Sequence, residues 1–145
     1  MRPNPLFLFF ILLFCASCSS RNQIETVSSI VNQLDENPKG VIDLTSLGPA
    51  TWDKICVVSP YMGNSEAAKR IGFEWDVEKK TSIYYSDHIS LLVFIKGEEV
   101  IAFSEHPRDK GDFTQLQPPC LPRTEAKVIP TSSAPGGFVV FRKQT

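Results

Sequence analysis

The sequence predicts a single α+β domain: a mainly antiparallel sheet of five or six strands with one short helix, preceded by a cleaved N-terminal signal. Three observations lead there. Short apolar runs bounded by Gly, Pro, Asn or Asp recur from residue 41 onward, as strands do. Only the stretch after Asn64 combines a helix start, helical spacing and a stop. Residues 5–16 form an apolar block unlike anything that follows.

At 145 residues, with a net charge of −1, 42% hydrophobic and 21% charged residues, the chain has the size and balance of one compact domain. Lysines and arginines are scattered among acidic residues, so no basic face suited to a phosphate backbone exists, and nucleic acid is excluded as a partner.

The block PLFLFFILLFCA follows Met1-Arg2-Pro3-Asn4 and ends in Ser17-Cys18-Ser19-Ser20. A bilayer core needs about 20 apolar residues, which this run does not reach. A positive start, a short apolar middle and a small-residue end together describe a secretory signal. Cleavage falls near Ser17–Ser20 on this pattern; with the resemblance of Phe14–Cys18 to a lipobox, the expected organisation is a signal peptide over 1–17, a tether over 18–39 and a globular domain over 40–145. Within the tether, Ile24, Val27, Val31 and Leu34 have helical spacing, whereas Thr26, Val27, Ile30 and Val31 are β-branched. A marginal helix and an extended segment both fit, and Asn37-Pro38-Lys39-Gly40 ends either one.

Val41 to Thr45 reads as a strand, Gly48-Pro49 as a turn, and Asp53 to Val58 as a stronger strand closed by Pro60. Asn64 or Ser65 then caps a helix of about seven residues, with Glu66 in its first turn, Lys69 and Arg70 in its last, Gly72 as its left-handed stop, and Ala67, Ala68 and Ile71 facing the sheet. Thr81 to Tyr85 reads as a strand. Ser90 to Ile95 is continuously apolar, as expected of a strand covered on both faces, and Lys96-Gly97-Glu98-Glu99 joins it to Val100–Phe103 in a tight hairpin. His106 to Pro122 reads as a long loop pinned at Cys120. Lys127–Ile129 and Phe138–Phe141 supply the last two strands around a Pro130–Gly137 loop.

Export leaves Cys56 and Cys120 as the domain's thiols in an oxidising compartment, and a disulfide between them is expected. The bridge would close a loop of about 64 residues, worth about 4 kcal/mol on the chain-entropy model. A catalytic thiol is disfavoured because no His lies near Cys56 in sequence, and a metal site because there is no CxxC and only His88 and His106 are available. No cofactor and no catalytic residue is assigned. Asp87-His88, Glu105-His106 and Asp53 are the only groups suggestive of acid–base work, and adjacency along a strand points side chains to opposite faces. The His106–Phe113 loop is the first choice for a functional surface, because binding residues concentrate on long loops held by a rigid sheet.

The segment Trp52-Asp53-Lys54-Ile55-Cys56-Val57-Val58-Ser59-Pro60-Tyr61, followed by Ile71-Gly72-Phe73-Glu74-Trp75, resembles a set of small, largely uncharacterised exported proteins and lipoproteins of Gram-negative bacteria. The likeness runs on through the apolar hairpin and His106-Pro107-Arg108 to Asp112-Phe113, covering residues 41–113. It implies a shared fold and an envelope location and carries no activity. Phe14-Cys15-Ala16-Ser17-Cys18 likewise resembles a bacterial lipobox, with Cys15 standing where Leu is usual. That resemblance implies a lipid-modified Cys18 that ties the protein to a membrane, and Ser19 after it implies the outer membrane, facing the periplasm.

These readings favour a non-enzymatic, lipid-anchored module that binds another envelope or periplasmic protein. Trp52, Tyr61, His106, Arg108 and Phe113 are its candidate binding surface. The alternatives are a small hydrolase-like periplasmic enzyme and a small-ligand module built on Trp52, Tyr61 and Trp75.

Overall fold

A computed structural model describes residues 16–131 and 138–145. Residues 1–15 of the expected signal, Cys15 included, and most of the Pro130–Gly137 loop lie outside the described residues. The fold is α+β, as the sequence predicts, but its strands form two antiparallel sheets instead of one.

The first helix, α1 (Ala16–Glu36), occupies most of the segment expected as a tether and carries Cys18 on its first turn. It is docked onto the domain, so residue 40 does not mark the start of the folded unit. The docking face is Thr26 and Ile30, both buried, continued by Gln33 and Leu34, while Ile24 is 66% exposed. The apolar spacing in the sequence pointed to a different stripe. Ile30 enters the apolar core, and the face is tied by a polar contact to the edge strand β1 (Ile42–Asp43): the Gln33 side-chain amide donates to the Asp43 carbonyl (3.1 Å), and the Asp43 N–H donates back to Gln33 Oε1 (2.7 Å). Gln33 thus serves as one more residue of sheet at an otherwise open edge.

The remaining strands are β2 (Lys54–Val58), β3 (Ile89–Lys96), β4 (Glu99–Pro107), β5 (Cys120–Pro122), β6 (Lys127–Thr131) and β7 (Val140–Lys143). One sheet has the order β4-β3-β2-β5 and the other β1-β6-β7. Between β2 and β3 lie two helices, α2 (Asn64–Ile71) and α3 (Val77–Lys80), and a 3₁₀ turn at Ile83–Tyr85. The four-stranded sheet is covered on both sides. Ile55, Val57, Leu92 and Phe94 face α1 and the small sheet, where they meet Ile30, Ile42, Val128 and Phe141. Cys56, Val58, Leu91, Val93 and Ile95 face the helical layer, where they meet Ala67, Ile71, Val77 and Ile83. The unbroken apolar run of β3 is explained by this double coverage.

Helix α2 ends at Gly72 with φ 98, the expected left-handed stop. Its N-cap is Gly63, one residue before the expected Asn64, because the Asn64 side chain is used elsewhere: it accepts from the Glu78 N–H (3.1 Å) and donates to Asp76 (3.1 Å), joining α2 to α3. Lys54 Nζ and Arg70 Nη1 then tie α2 to β2 through the Ile71 and Val57 carbonyls (both 3.0 Å).

Three strand expectations change. The segment expected as a strand over Thr81–Tyr85 contains a 3₁₀ turn at Ile83–Tyr85 instead, since only Ile83 turns inward while Tyr84 and Tyr85 are both exposed, which a two-residue alternation forbids. Strand β4 runs on through His106 to Pro107, shortening the expected loop, and the far end of that loop pairs as β5. The last strand begins at Val140, two residues later than expected. The hairpin is as predicted, with Gly97 at φ 60 in a two-residue loop between Lys96 and Glu99. A bulge between Phe94/Ile95 and the facing Val100–Ala102 shifts the register of the edge strand β4, a feature that discourages edge-to-edge pairing.

Cys56 and Cys120 sit directly opposite each other in the β2–β5 pair and are joined by a disulfide. A three-residue strand would hold an edge poorly by hydrogen bonds alone, so the bridge fixes β5 and the Pro118-Pro119 segment before it to the central sheet. No helix among the described residues is long and apolar enough to cross a membrane.

Candidate functional site

Most of the residues singled out in the sequence are internal. Trp52 is 2% exposed, packs against Phe94 at 5.6 Å between ring centroids, and donates its indole N–H to the Leu47 carbonyl (2.7 Å). The Arg123 guanidinium lies 4.8 Å above its ring and donates to the carbonyls of Thr45 (2.9 Å), Trp52 (3.3 Å) and Ala50. Asp53 accepts from the Gly97 N–H (2.9 Å) and so caps the β3–β4 turn. The WD pair is accounted for by these structural contacts. Trp75 packs on Phe103 in the helical layer, on the opposite side of the sheet from Trp52, so Trp52, Tyr61 and Trp75 do not converge on one pocket.

The His106–Phe113 segment is likewise built inward. His106 is fully buried at the end of β4, its ring edge-on to buried Phe113 at 5.3 Å, with Nε2 3.3 Å from the Lys110 carbonyl. Burial pushes the imidazole pKa down to about 4, against the smaller opposing pull of the Lys110 carbonyl and of Asp109 and Asp112. Asp112 is 1% exposed and pairs with Arg108 at 2.8 Å. Burial alone would raise its carboxyl pKa, but hydrogen bonds from Arg108 and Thr114, with the Arg108 charge, outweigh that and hold it below the usual range. The Asp112 backbone also bonds Val139 and Phe141, joining the segment to β7. Gly111, at φ 121, lets the Phe141 ring lie where a Cβ would stand 2.3 Å from it, so no other residue fits there. Of the expected binding residues here, only Arg108 reaches the surface, where it also donates to the Asp87 carbonyl (2.7 Å).

Beside Arg108 is a depression of about 450 Å³ walled by Ile89, Pro107 and Phe138 and rimmed by Asp87, His88 and Asp109. His88 Nε2 lies 3.1 Å from Asp87, but the His88 side chain is 89% exposed. An ion pair in open water is weak and poorly oriented, and the Ser86 hydroxyl nearby accepts from the His88 backbone N–H, not from the ring. The hydrolase alternative therefore gains an Asp–His contact without the oriented nucleophile that would make it work. Among the described residues no three His, Cys, Asp or Glu side chains cluster as metal ligands would.

The exposed residue that stands out is Tyr61. Its ring is 60% exposed and its backbone sits at φ 63, the only positive φ at a non-glycine residue among the described residues. A bulky side chain in that region costs about 1–3 kcal/mol. The conformation is held by the Tyr61 N–H donating to the Ile83 carbonyl (2.9 Å), which brings the chain beside the turn bearing Tyr84 and Tyr85. Those two rings meet edge-on at 4.9 Å and are 40% and 77% exposed. Three carboxylates brace the surrounding loops: Glu66 accepts from Gly63 N–H (3.2 Å), Glu78 from Asn64 N–H (2.8 Å) and Glu105 from Ser82 N–H (2.6 Å). Tyr61 and the Tyr84–Tyr85 pair are thus exposed on two adjoining loops joined by that backbone bond. Sequence reasoning found Tyr61 but took Tyr84 and Tyr85 for strand residues; two adjacent tyrosines with no apolar alternation were the available signal.

No protein-family model, no curated protein and no solved structure matches this chain.

The burial of His106 gives a pH dependence. Its folded-state pKa of about 4 lies below the ordinary 6.5, so the folded state disfavours the proton; this stability is whole above pH 6.5 and is lost as pH falls from there to about 4. The loss is about 3 kcal/mol, or roughly 10 °C in melting temperature. Asp112, with its carboxyl pKa below the usual 3.8, adds its loss only at more acidic pH. Thermal melts across that window should show the decline in the wild type and a much flatter profile in His106→Gln. A wild type flat from pH 6.5 to 4, or equal slopes in both proteins, would contradict the assignment.

Proposed function

We propose that this chain is a non-enzymatic binding module of the bacterial envelope, anchored by lipid on Cys18, that recognises another envelope or periplasmic protein with the face formed by Tyr61, Tyr84 and Tyr85. The observation that carries the reading is Tyr61: an exposed aromatic ring kept in a costly backbone conformation, with no burial in return. Tyrosine has few torsions to freeze and offers both apolar area and a hydroxyl, which makes it effective at protein interfaces. The two loops, braced by three carboxylates, reduce the ordering cost of binding further.

The anchoring part rests on the lipobox-like Phe14–Cys18 segment and on the resemblance of residues 41–113 to small exported proteins of Gram-negative bacteria. Cys18 precedes Thr26, a buried residue of α1, by about 12 Å of helix at 1.5 Å per residue. An acylated Cys18 would hold the domain close to the membrane surface in a restricted orientation, instead of on a long flexible lead.

Tyr61→Gly separates function from folding. Glycine adopts φ 63 freely, so the variant should match the wild type in stability to within about 1 kcal/mol while losing crosslinked capture of the partner that the wild type recovers from native envelopes. A clear fall in stability would mean that the ring is structural; equal capture by both proteins, or no partner across growth conditions, would count against the reading. Mass spectrometry of the mature N-terminus should show acylated Cys18, and a free, unmodified terminus would remove the anchor.

A further inference from the structure

Among the described residues, three buried side-chain atoms have no hydrogen-bond partner: Ser90 Oγ, Ser104 Oγ and His106 Nδ1. Strand register gathers them. Ser90 lies directly across from His106, and Ser104, two residues before His106 on β4, lies across from Leu92. Side chains alternate along a strand, so all three project from the sheet face that carries Leu92 and Phe94, into the core shared with α1 and Phe113. Each of the three residues is 0% exposed.

The state of the imidazole follows from its other nitrogen. Nε2 faces the Lys110 carbonyl at 3.3 Å, and a carbonyl only accepts, so Nε2 carries the proton and the neutral ring presents Nδ1 as a lone pair. A buried acceptor beside two buried hydroxyls, none bonded to another, is a costly arrangement to leave dry.

We propose that Ser90, Ser104 and His106 form an internal hydration site that holds one ordered water. The water donates one hydrogen to His106 Nδ1 and the other to one serine oxygen, and accepts the hydroxyl hydrogen of the second serine. Those three bonds are the usual complement of a buried water, and they satisfy all three protein atoms. The same water fixes the ring orientation that lets Nε2–H hold the Lys110 carbonyl, so it braces the turn between β4 and Asp112 from within.

A high-resolution crystal structure of the protein, paired with melts of Ser90→Ala and Ser104→Ala, tests this. The expected result is a water within about 2.6–3.2 Å of His106 Nδ1 and of at least one serine Oγ. Each variant should melt about 3–5 °C lower than the parent, because the water and the ring lose a partner. Ser90→Ala should also shift the ¹⁵N resonance of His106 Nδ1. A dry interior overturns the site, and so does a serine variant that melts at or above the parent temperature, the outcome expected when an unpaired hydroxyl is simply removed.

Discussion

Strands β2 and β3 carry apolar side chains on both faces, and the layers packed on either side cover them. Ile55, Val57, Leu92 and Phe94 on one side and Cys56, Val58, Leu91, Val93 and Ile95 on the other leave no polar face to set the register. In a half-exposed strand a slip of one residue would drive polar groups inward and be rejected, but here a slip exchanges apolar for apolar. Register must come from specific contacts. The Cys56–Cys120 bridge locks β5 against β2, the Asp53 carboxylate holds the β3–β4 turn, and Arg123 holds the carbonyls of the approach to β2. The chemistry that seemed notable in Trp52, Asp53 and Cys56 is explained by this requirement.

Because the frame is rigid, it can sustain local cost at its surface. The loops leaving β2 and entering β3 meet where the Tyr61 N–H bonds the Ile83 carbonyl, and that meeting point lies over the helical-side core of Val77 and Ile83. Tyr61 is strained and exposed there, while the glutamates around it are occupied with backbone N–H groups. Strain held in place by its surroundings, at an exposed aromatic residue, is a pattern associated with recognition. At the same end of the sheet, on its other face, His106 and Phe113 behave differently: with Asp112 they give up exposure to tie β4 to β7.

The sequence made legible what depends on local chemistry. The α+β class, the hairpin with Gly97, the helix stopped by Gly72, the doubly covered strand and the Cys56–Cys120 pairing could all be read from residue types and spacing. What could not be read depends on partners distant in sequence. The docking face of α1 keeps Leu34 but centres on Ile30, with Gln33 meeting Asp43, and leaves Ile24 exposed. His106 and Phe113 looked like loop residues because nothing local reveals that β4 continues through Pro107 or that Phe141 packs against Gly111. Tyr84 and Tyr85 looked like strand residues because aromatic residues favour strands, and the 3₁₀ turn at Ile83 exists only where α3 and Glu105 constrain it.

Residue-resolved amide hydrogen exchange tests the central place of β2 and β3 most directly. Amides of Ile55–Val58 and Leu91–Ile95 should exchange only through global unfolding, with β1, β6, β7 and α1 opening at lower free energy. The Tyr61 amide should be protected well above its exposed neighbours, because the contact with Ile83 fixes the tyrosine face to the frame. Protection in β1, β6 and β7 equal to that in β2 and β3, or a Tyr61 amide exchanging at the rate of an open loop, would contradict the account.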